Sequence, residues 1–256
     1  MDQSNDHIAG RKVFFLFPSA SVRDGVIQEL AQREYEVYAA ENKDALRRAL
    51  RKYPDSIVFV DANEKMPEED RDAWIAAVSG DPDTQGVSIG VIASGGSDEL
   101  RRKYDSDTKV ACGYTALDPD LEKSAAAIMD ILQKGEAKGR RKHLRAVIAD
   151  EVFASISVPL GDARLNGWIK DISAAGVSFS LEGNPDIAKN ALVKDIQIGL
   201  ADLSLNVEGA LFGSRMASRE RIYALLFSQG TDCRTREKIR NYIRQNLQLA
   251  MDAELS

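Results

Sequence analysis

Two arginines four residues apart, a carboxylate, a hydroxyl and a glycine are the residues of this chain best suited to holding a ligand. The arginines are Arg141 and Arg145, in Lys138-Gly139-Arg140-Arg141-Lys142-His143-Leu144-Arg145; the others are Asp171, Ser173 and Gly176, in Asp171-Ile172-Ser173-Ala174-Ala175-Gly176. A planar guanidinium fork matches the O6 and N7 acceptors of guanine and grips phosphate through paired hydrogen bonds. A carboxylate only accepts, so Asp171 suits the N1–H and N2–H donors on guanine's other edge. Adenine would leave that carboxylate facing no donor, which favours guanine. Ser173 brings a hydroxyl for phosphate or base, and Gly176 is expected to take positive φ in a turn or to admit the ligand closely. Arg140 and Lys142 read as supporting charge. Together the two segments are expected to be walls of one guanine-nucleotide site.

Composition narrows the alternatives. Hydrophobic residues make up 44% and charged residues 29% of the 256, as in a soluble globular protein with room for two domains. No apolar run is long enough to span a bilayer, and no signal-peptide pattern follows the polar start MDQSNDHIAGRK, so a cytoplasmic location without membrane insertion is expected. A formal charge of −6 argues against general nucleic-acid binding and makes the basic run at 138–145 conspicuous. Cys112 and Cys233 share no metal-type spacing, and the two histidines are His7 and His143, so no metal site is expected. Gly95-Gly96 and Gly80-Asp81-Pro82-Asp83 read as turns and fit no phosphate-binding loop. No nucleophile–base pair or paired carboxylates mark the second half, so neither an enzyme nor a cofactor is expected.

The elements that must position these residues come in two kinds. Strand-type runs at Lys12–Phe17, Glu36–Ala40, Ile57–Val60, Val87–Ile92 and Ala111–Thr115 alternate with helical runs at Val22–Arg33, Lys43–Lys52, Arg71–Val78, Asp98–Tyr104 and Pro119–Gln133. Such alternation implies a parallel sheet with helices on both faces. The pattern resembles a response-regulator receiver, a flavodoxin-like doubly wound fold. The resemblance implies an acidic pair after the first strand, but Phe17-Pro18-Ser19 stands there. It implies a phosphoacceptor after the third strand, where Asp61 falls, and a hydroxyl closing the fourth, matched by Ala93 or Ser94. It implies a lysine after the fifth, where Leu117 is expected. Phosphoryl transfer to a carboxylate depends on charge neutralisation by metal and cation, so this half reads as a pseudo-receiver with Asp61 merely ending a strand.

After Lys134-Gly135-Glu136-Ala137-Lys138-Gly139 the pattern changes. Short strand-type runs at Ala146–Val158, Leu165–Ile172, Val177–Leu181, Ala191–Ala201, Asn206–Gly213 and Arg221–Phe227 are separated by Gly, Asn and Asp turns, with no helices between. Six such runs suggest a small antiparallel barrel, and helical spacing over Arg234–Met251 suggests a helix closing one end. The domains are therefore expected at 1–137 and 138–256.

RxxxR ahead of a first strand and DxSxxG after a second, on such a barrel, resembles the PilZ domain over roughly residues 138–251. The resemblance implies a receptor for cyclic di-GMP, held by Arg141, Arg145, Asp171, Ser173 and Gly176. It also implies signalling by domain reorientation and contact with a protein partner through the receiver-like half, as in motility or biofilm control. A phosphorylation-driven regulator using Asp61 and a ligand-independent scaffold are the alternatives.

Overall fold

The computed structural model describes residues 10–63, 65–107, 109–148 and 154–255. Contacts divide the chain into two compact units: residues 1–142 together with Leu247–Ser256, and His143–Asn246. His7 and part of the expected strand Ala146–Val158 lie outside the described residues.

The first unit is a five-stranded parallel sheet in the order β2-β1-β3-β4-β5, built from β1 (Val13–Leu16), β2 (Val37–Ala40), β3 (Ile57–Asp61), β4 (Ser88–Ser94) and β5 (Tyr114–Leu117). This is the flavodoxin-like strand order of a doubly wound fold. The strands are continuous apolar runs because both faces are covered: β1 and β3 are buried at every position. The covering helices are α1 (Ile27–Gln32), continuing a π-helical turn at Val22–Val26, then α2 (Lys43–Lys52), α3 (Glu68–Ser79), α4 (Asp98–Asp105) and α5 (Leu121–Lys134). One face packs Val13, Phe15, Ile27, Leu30, Ile128 and Leu132 together; the other packs Phe14, Tyr38, Leu46, Leu50, Trp74 and Tyr104. α2 begins where the side chain of Asn42 accepts from the Asp44 and Ala45 amides, the expected N-cap chemistry.

β5 starts three residues later than its apolar run. Gly113 adopts φ +65°, and its N–H closes a turn onto the Val110 carbonyl, so Ala111–Gly113 cannot extend the strand. Leu117 is then inside the strand and buried, and the residue after β5 is Asp118 rather than Leu117. The position stays without a lysine.

The second unit is an antiparallel barrel. Its strands are β6 (Arg145–Val147), β7 (Ala154–Leu160), β8 (Ala163–Ser173), β9 (Gly176–Leu181), β10 (Leu192–Leu200), β11 (Leu203–Ala217) and β12 (Glu220–Phe227). The ring runs β8-β7-β10-β11-β12-β9 and closes through β9 onto β8. β6 and β7 share the same edge of β8, β6 opposite residues 171–173 and β7 opposite 163–168. The single expected strand Ala146–Val158 is thus two strands. Inside lie Ile156, Ile169, Ile172, Phe179, Leu205, Leu211 and Tyr223, with the Phe179 and Tyr223 rings stacked at 5.4 Å.

α6 (Cys233–Leu255) begins in the second unit and ends in the first. Within the first unit Met251 is buried in the same cluster as Tyr38 and Leu50. The side-chain amide of Gln248 accepts from the Ala39 N–H at 2.9 Å and donates to the Ala39 carbonyl at 3.0 Å. β2 is an edge strand, so Gln248 satisfies backbone groups that would otherwise lack a ladder partner. Of the helical run expected to close the barrel, the part beyond Asn246 therefore packs on the parallel sheet.

Candidate functional site

Register, more than sequence motif, decides what stands beside Asp171. Val147 on β6 pairs with Asp171 on β8; Asp171 pairs with Ser178 on β9, Ser178 with Ala224 on β12, and Ala224 with Gly213 on β11. Directly paired residues share a face, so these five form one row across the outside of the barrel. Two β-bulges make the row possible. Strict alternation from the buried Ile169 would turn Asp171 inward, but the register shifts between Ile169 and Asp171 and leaves Ile172 inside. Trp168, Lys170 and Ile172 therefore do not share one face as even alternation predicts. A second shift between Leu211 and Gly213 makes Phe212 the extra residue and brings Gly213 into the row.

Four of the row, Asp171, Ser178, Ala224 and Gly213, floor a cleft of 750 Å³ that is also lined by Arg145, Lys189, Phe212 and Arg215, among others. Its floor is low because Ser178, Ala224 and Gly213 are small, and a Cβ at Gly213 would meet nothing within 4 Å. One wall is the segment between β9 and β10. It is pinned by Tyr223, whose hydroxyl donates to the Pro185 carbonyl at 2.5 Å, and by an Arg221–Asp186 ion pair at 2.5 Å. Burial pushes the Tyr223 phenol above its ordinary pKa, so it remains a donor at neutral pH.

Asp171 holds the centre electrostatically. One carboxylate oxygen accepts from the Ser178 hydroxyl, and the other lies 3.5 Å from Arg145 Nη1. Both side chains remain accessible, Arg145 at 51% and Asp171 at 26%. The pair is loose, and both partners can be reached from solvent, so a ligand that supplies donors to Asp171 and acceptors to Arg145 can replace it at modest cost.

The other sequence-predicted residues lie elsewhere. Ser173 is buried; its hydroxyl donates to the Gly176 carbonyl and accepts from the Ala175 amide, so it is spent on the turn between β8 and β9. Gly176 is outside the positive-φ set and is needed for a different reason: a Cβ there would lie 2.2 Å from the Leu225 carbonyl oxygen. The same turn is anchored by Arg236 of α6, which donates to the Ala174 carbonyl at 2.8 Å. Arg140, Arg141 and Lys142 are exposed and belong to the first unit, whereas Arg145 belongs to the second. Ser178, Lys189, Phe212 and Arg215 escape sequence reading because no motif marks them; strand register collects Ser178, Phe212 and Arg215, and the segment between β9 and β10 brings Lys189. Phe212 is a half-exposed aromatic with the Lys189 ammonium 5.5 Å from its ring, a surface suited to stacking a flat base.

In the first unit Asp61 is buried, and its carboxylate accepts from the Ser19 N–H at 2.8 Å. Asn63 donates to the Phe17 carbonyl at 2.7 Å, so the loop after β1 is tied down by the residues after β3. Among the described residues no group of three or more His, Cys, Asp and Glu side chains is placed to hold a metal ion, and no helix is long and apolar enough to cross a membrane.

No protein-family model and no curated protein matches the sequence. Solved structures match each half. Escherichia coli YcgR in complex with c-di-GMP aligns at 14% identity over 45% of this chain and 48% of its own, with a TM-score of 0.39. The PilZ domain of the same protein with c-di-GMP aligns at 12% identity over 45% of this chain and 93% of its own, with a TM-score of 0.35. Vibrio cholerae chemotaxis protein CheY4 aligns at 22% identity over 49% of this chain and 98% of its own, with a TM-score of 0.39. This chain spans about half the length of YcgR.

Proposed function

We propose that this protein is a receptor for cyclic di-GMP and not an enzyme, with the ligand seated in the cleft on the outer face of the barrel. The observation that supports this reading is the Arg145–Asp171 pair on the floor of a 750 Å³ cleft, an acceptor and a fork-shaped donor side by side. That volume falls in the range of small-molecule sites, about 300–1,000 Å³. Asp171 takes the N1–H and N2–H donors of one guanine, Arg145 takes its Hoogsteen edge or a phosphate, and Arg215 and Lys189 neutralise the remaining phosphate charge. Arg141 joins from the preceding arm on the strength of the RxxxR motif, with Arg140 and Lys142 as supporting charge. Ser173 and Gly176 act by shaping the turn that presents Asp171. Output passes by protein contact through the first unit, which keeps Asp61 but has neither the acidic pair nor the lysine that phosphorylation would need.

Calorimetric titration of the full chain with cyclic di-GMP tests the reading. Saturable binding by the wild type that is lost in Arg145→Ala is expected; no heat with the wild type overturns it.

A further inference from the structure

A second cavity, of 860 Å³, opens at the N-terminal end of the parallel sheet. The strands β1 and β3 end at Leu16 and Asp61, whereas this cavity is lined by residues that precede them, including Lys12 and Ser56. It is thus at the end of the sheet away from Asp61, not in the crevice where α/β folds usually bind ligands. Five cations line it, Arg11, Lys12, Lys52, Lys138 and Arg140, against two carboxylates, Asp55 and Glu136. In a chain of formal charge −6 that is a local reversal of sign.

Two of the cations are committed to structure. Arg11 pairs with Asp55 and donates to the carbonyls of Ser56 and Gly135, and Lys12 pairs with Glu36. The others are presented to the cavity. The Lys138 ammonium sits 4.6 Å from the centre of the Tyr35 ring, and among the described residues no carboxylate lies within ion-pair distance of it. Lys52 lies 5.3 Å from the Tyr53 ring. A ring face holds the Lys138 ammonium without neutralising it, so that charge stays available to an anion.

An internal anion already uses part of this surface. Glu254, in the last turn of α6, places one carboxylate oxygen against Lys52 and the other 2.7 Å from the Tyr53 hydroxyl, which donates to it. Lys52 and Tyr53 both line the cavity. The side chain of Glu254 thus occupies a lysine–tyrosine anion grip at the rim.

We propose that this cavity binds a small free polyphosphate anion through Lys52, Lys138, Arg140 and the Tyr53 hydroxyl, in competition with Glu254. Polyphosphate suits the site because several cations are spread over a volume larger than one phosphate needs. Displacing Glu254 frees the last turn of α6 from Lys52 and Tyr53, so anion binding is coupled to the hold of α6 on the first unit.

Titration of the full chain with pyrophosphate at low ionic strength tests this. Saturable binding at one site per chain is expected, weakened tenfold or more by Lys52→Ala or Lys138→Ala, tightened severalfold by Glu254→Gln, and unchanged by Arg145→Ala. All four positions are at the surface, and matching circular dichroism and melting curves check that the variants fold. Absence of saturable binding, insensitivity to both lysine variants, or loss in Arg145→Ala, which would place the anion in the barrel cleft, overturns the proposal. A Glu254→Gln variant no tighter than wild type overturns the competition. Sedimentation with phosphatidic acid vesicles supplies the membrane-borne alternative, and co-sedimentation without pyrophosphate binding overturns the assignment to a free anion.

Discussion

Arg145 Nη1 lies 3.5 Å from Asp171 Oδ1, and the two stand diagonally across the β6–β8 ladder on the outer face of the barrel. An exposed pair at this distance contributes little to stability, about 0–1 kcal/mol. Its use is to hold a donor fork and an acceptor-only group in register before a ligand arrives. Arg145→Ala is therefore expected to leave the melting temperature nearly unchanged and to weaken cyclic di-GMP binding by roughly 10- to 100-fold, the equivalent of about 1–3 kcal/mol for a bidentate guanine contact. Asp171→Asn is expected to narrow the preference for cyclic di-GMP over cyclic di-AMP, measured by parallel titrations. An unchanged preference would remove Asp171 from base recognition.

The two glycines near the cleft are expected to behave oppositely. A methyl at Gly176 would fall 2.2 Å from the Leu225 carbonyl, so β9 and β12 must separate; Gly176→Ala should cost about 1–3 kcal/mol in urea unfolding. A methyl at Gly213 meets nothing within 4 Å, so Gly213→Ala should fold normally and lose ligand affinity by raising the cleft floor. Equal stability losses would show that both act through the barrel alone.

Asp61 is expected to be a structural acceptor. Asp61→Ala orphans the Ser19 amide next to a buried site and should cost about 1–3 kcal/mol, while Asp61→Asn keeps an acceptor and should cost less. Incubation with acetyl phosphate and Mg²⁺ should give no mass adduct. An adduct lost in Asp61→Asn would restore phosphorylation as the input.

The end of α6 should matter to the parallel sheet. Met251→Ala empties a buried position in the cluster that includes Tyr38 and Leu50 and should cost about 2–5 kcal/mol, read by denaturant unfolding. Gln248→Ala hands the edge groups of Ala39 to water and should cost about 1 kcal/mol. A Met251→Ala chain as stable as wild type would mean that the last turns are not part of the core.

Acid should weaken the α2 end of the same unit. Hydrogen bonds from Arg51, then from the Asp83 amide, hold the Asp81 carboxyl below its ordinary pKa of 3.8. A depressed folded-state value gives stability that is present above the unfolded pKa and lost as pH falls through the folded one. Asp81→Asn should therefore lower the melting temperature at pH 7, and the gap should close below about pH 4. A gap that persists at lower pH would assign the effect to something other than charge.

How far the sequence speaks depends on the range of the interaction. α2 begins at Lys43 and ends at Lys52, as its spacing predicts, because the cap, the apolar face and the break all lie within a few residues. β5 is misjudged over Ala111–Gly113, where a glycine turn overrides an apolar run. β11 continues past Gly213 to Ala217 because a bulge, not a turn, absorbs the glycine. Arg145 and Asp171 are legible as a motif. Ser178, Phe212 and Arg215 are not, since their neighbourhood is set by pairings between strands distant in sequence and by two bulges that composition does not announce.

α6 gives the chain an unusual connectivity. Because Leu247–Ser256 counts with residues 1–142, the barrel is an insertion within the first unit rather than a module appended to it. Both of its covalent exits lead back to the same body, one through the arm that carries Arg141 and one through a helix. A fragment ending near residue 142 would leave β2 without Gln248 and the core without Met251. Cutting the chain at the basic arm would therefore damage the half that keeps its whole N-terminal sequence.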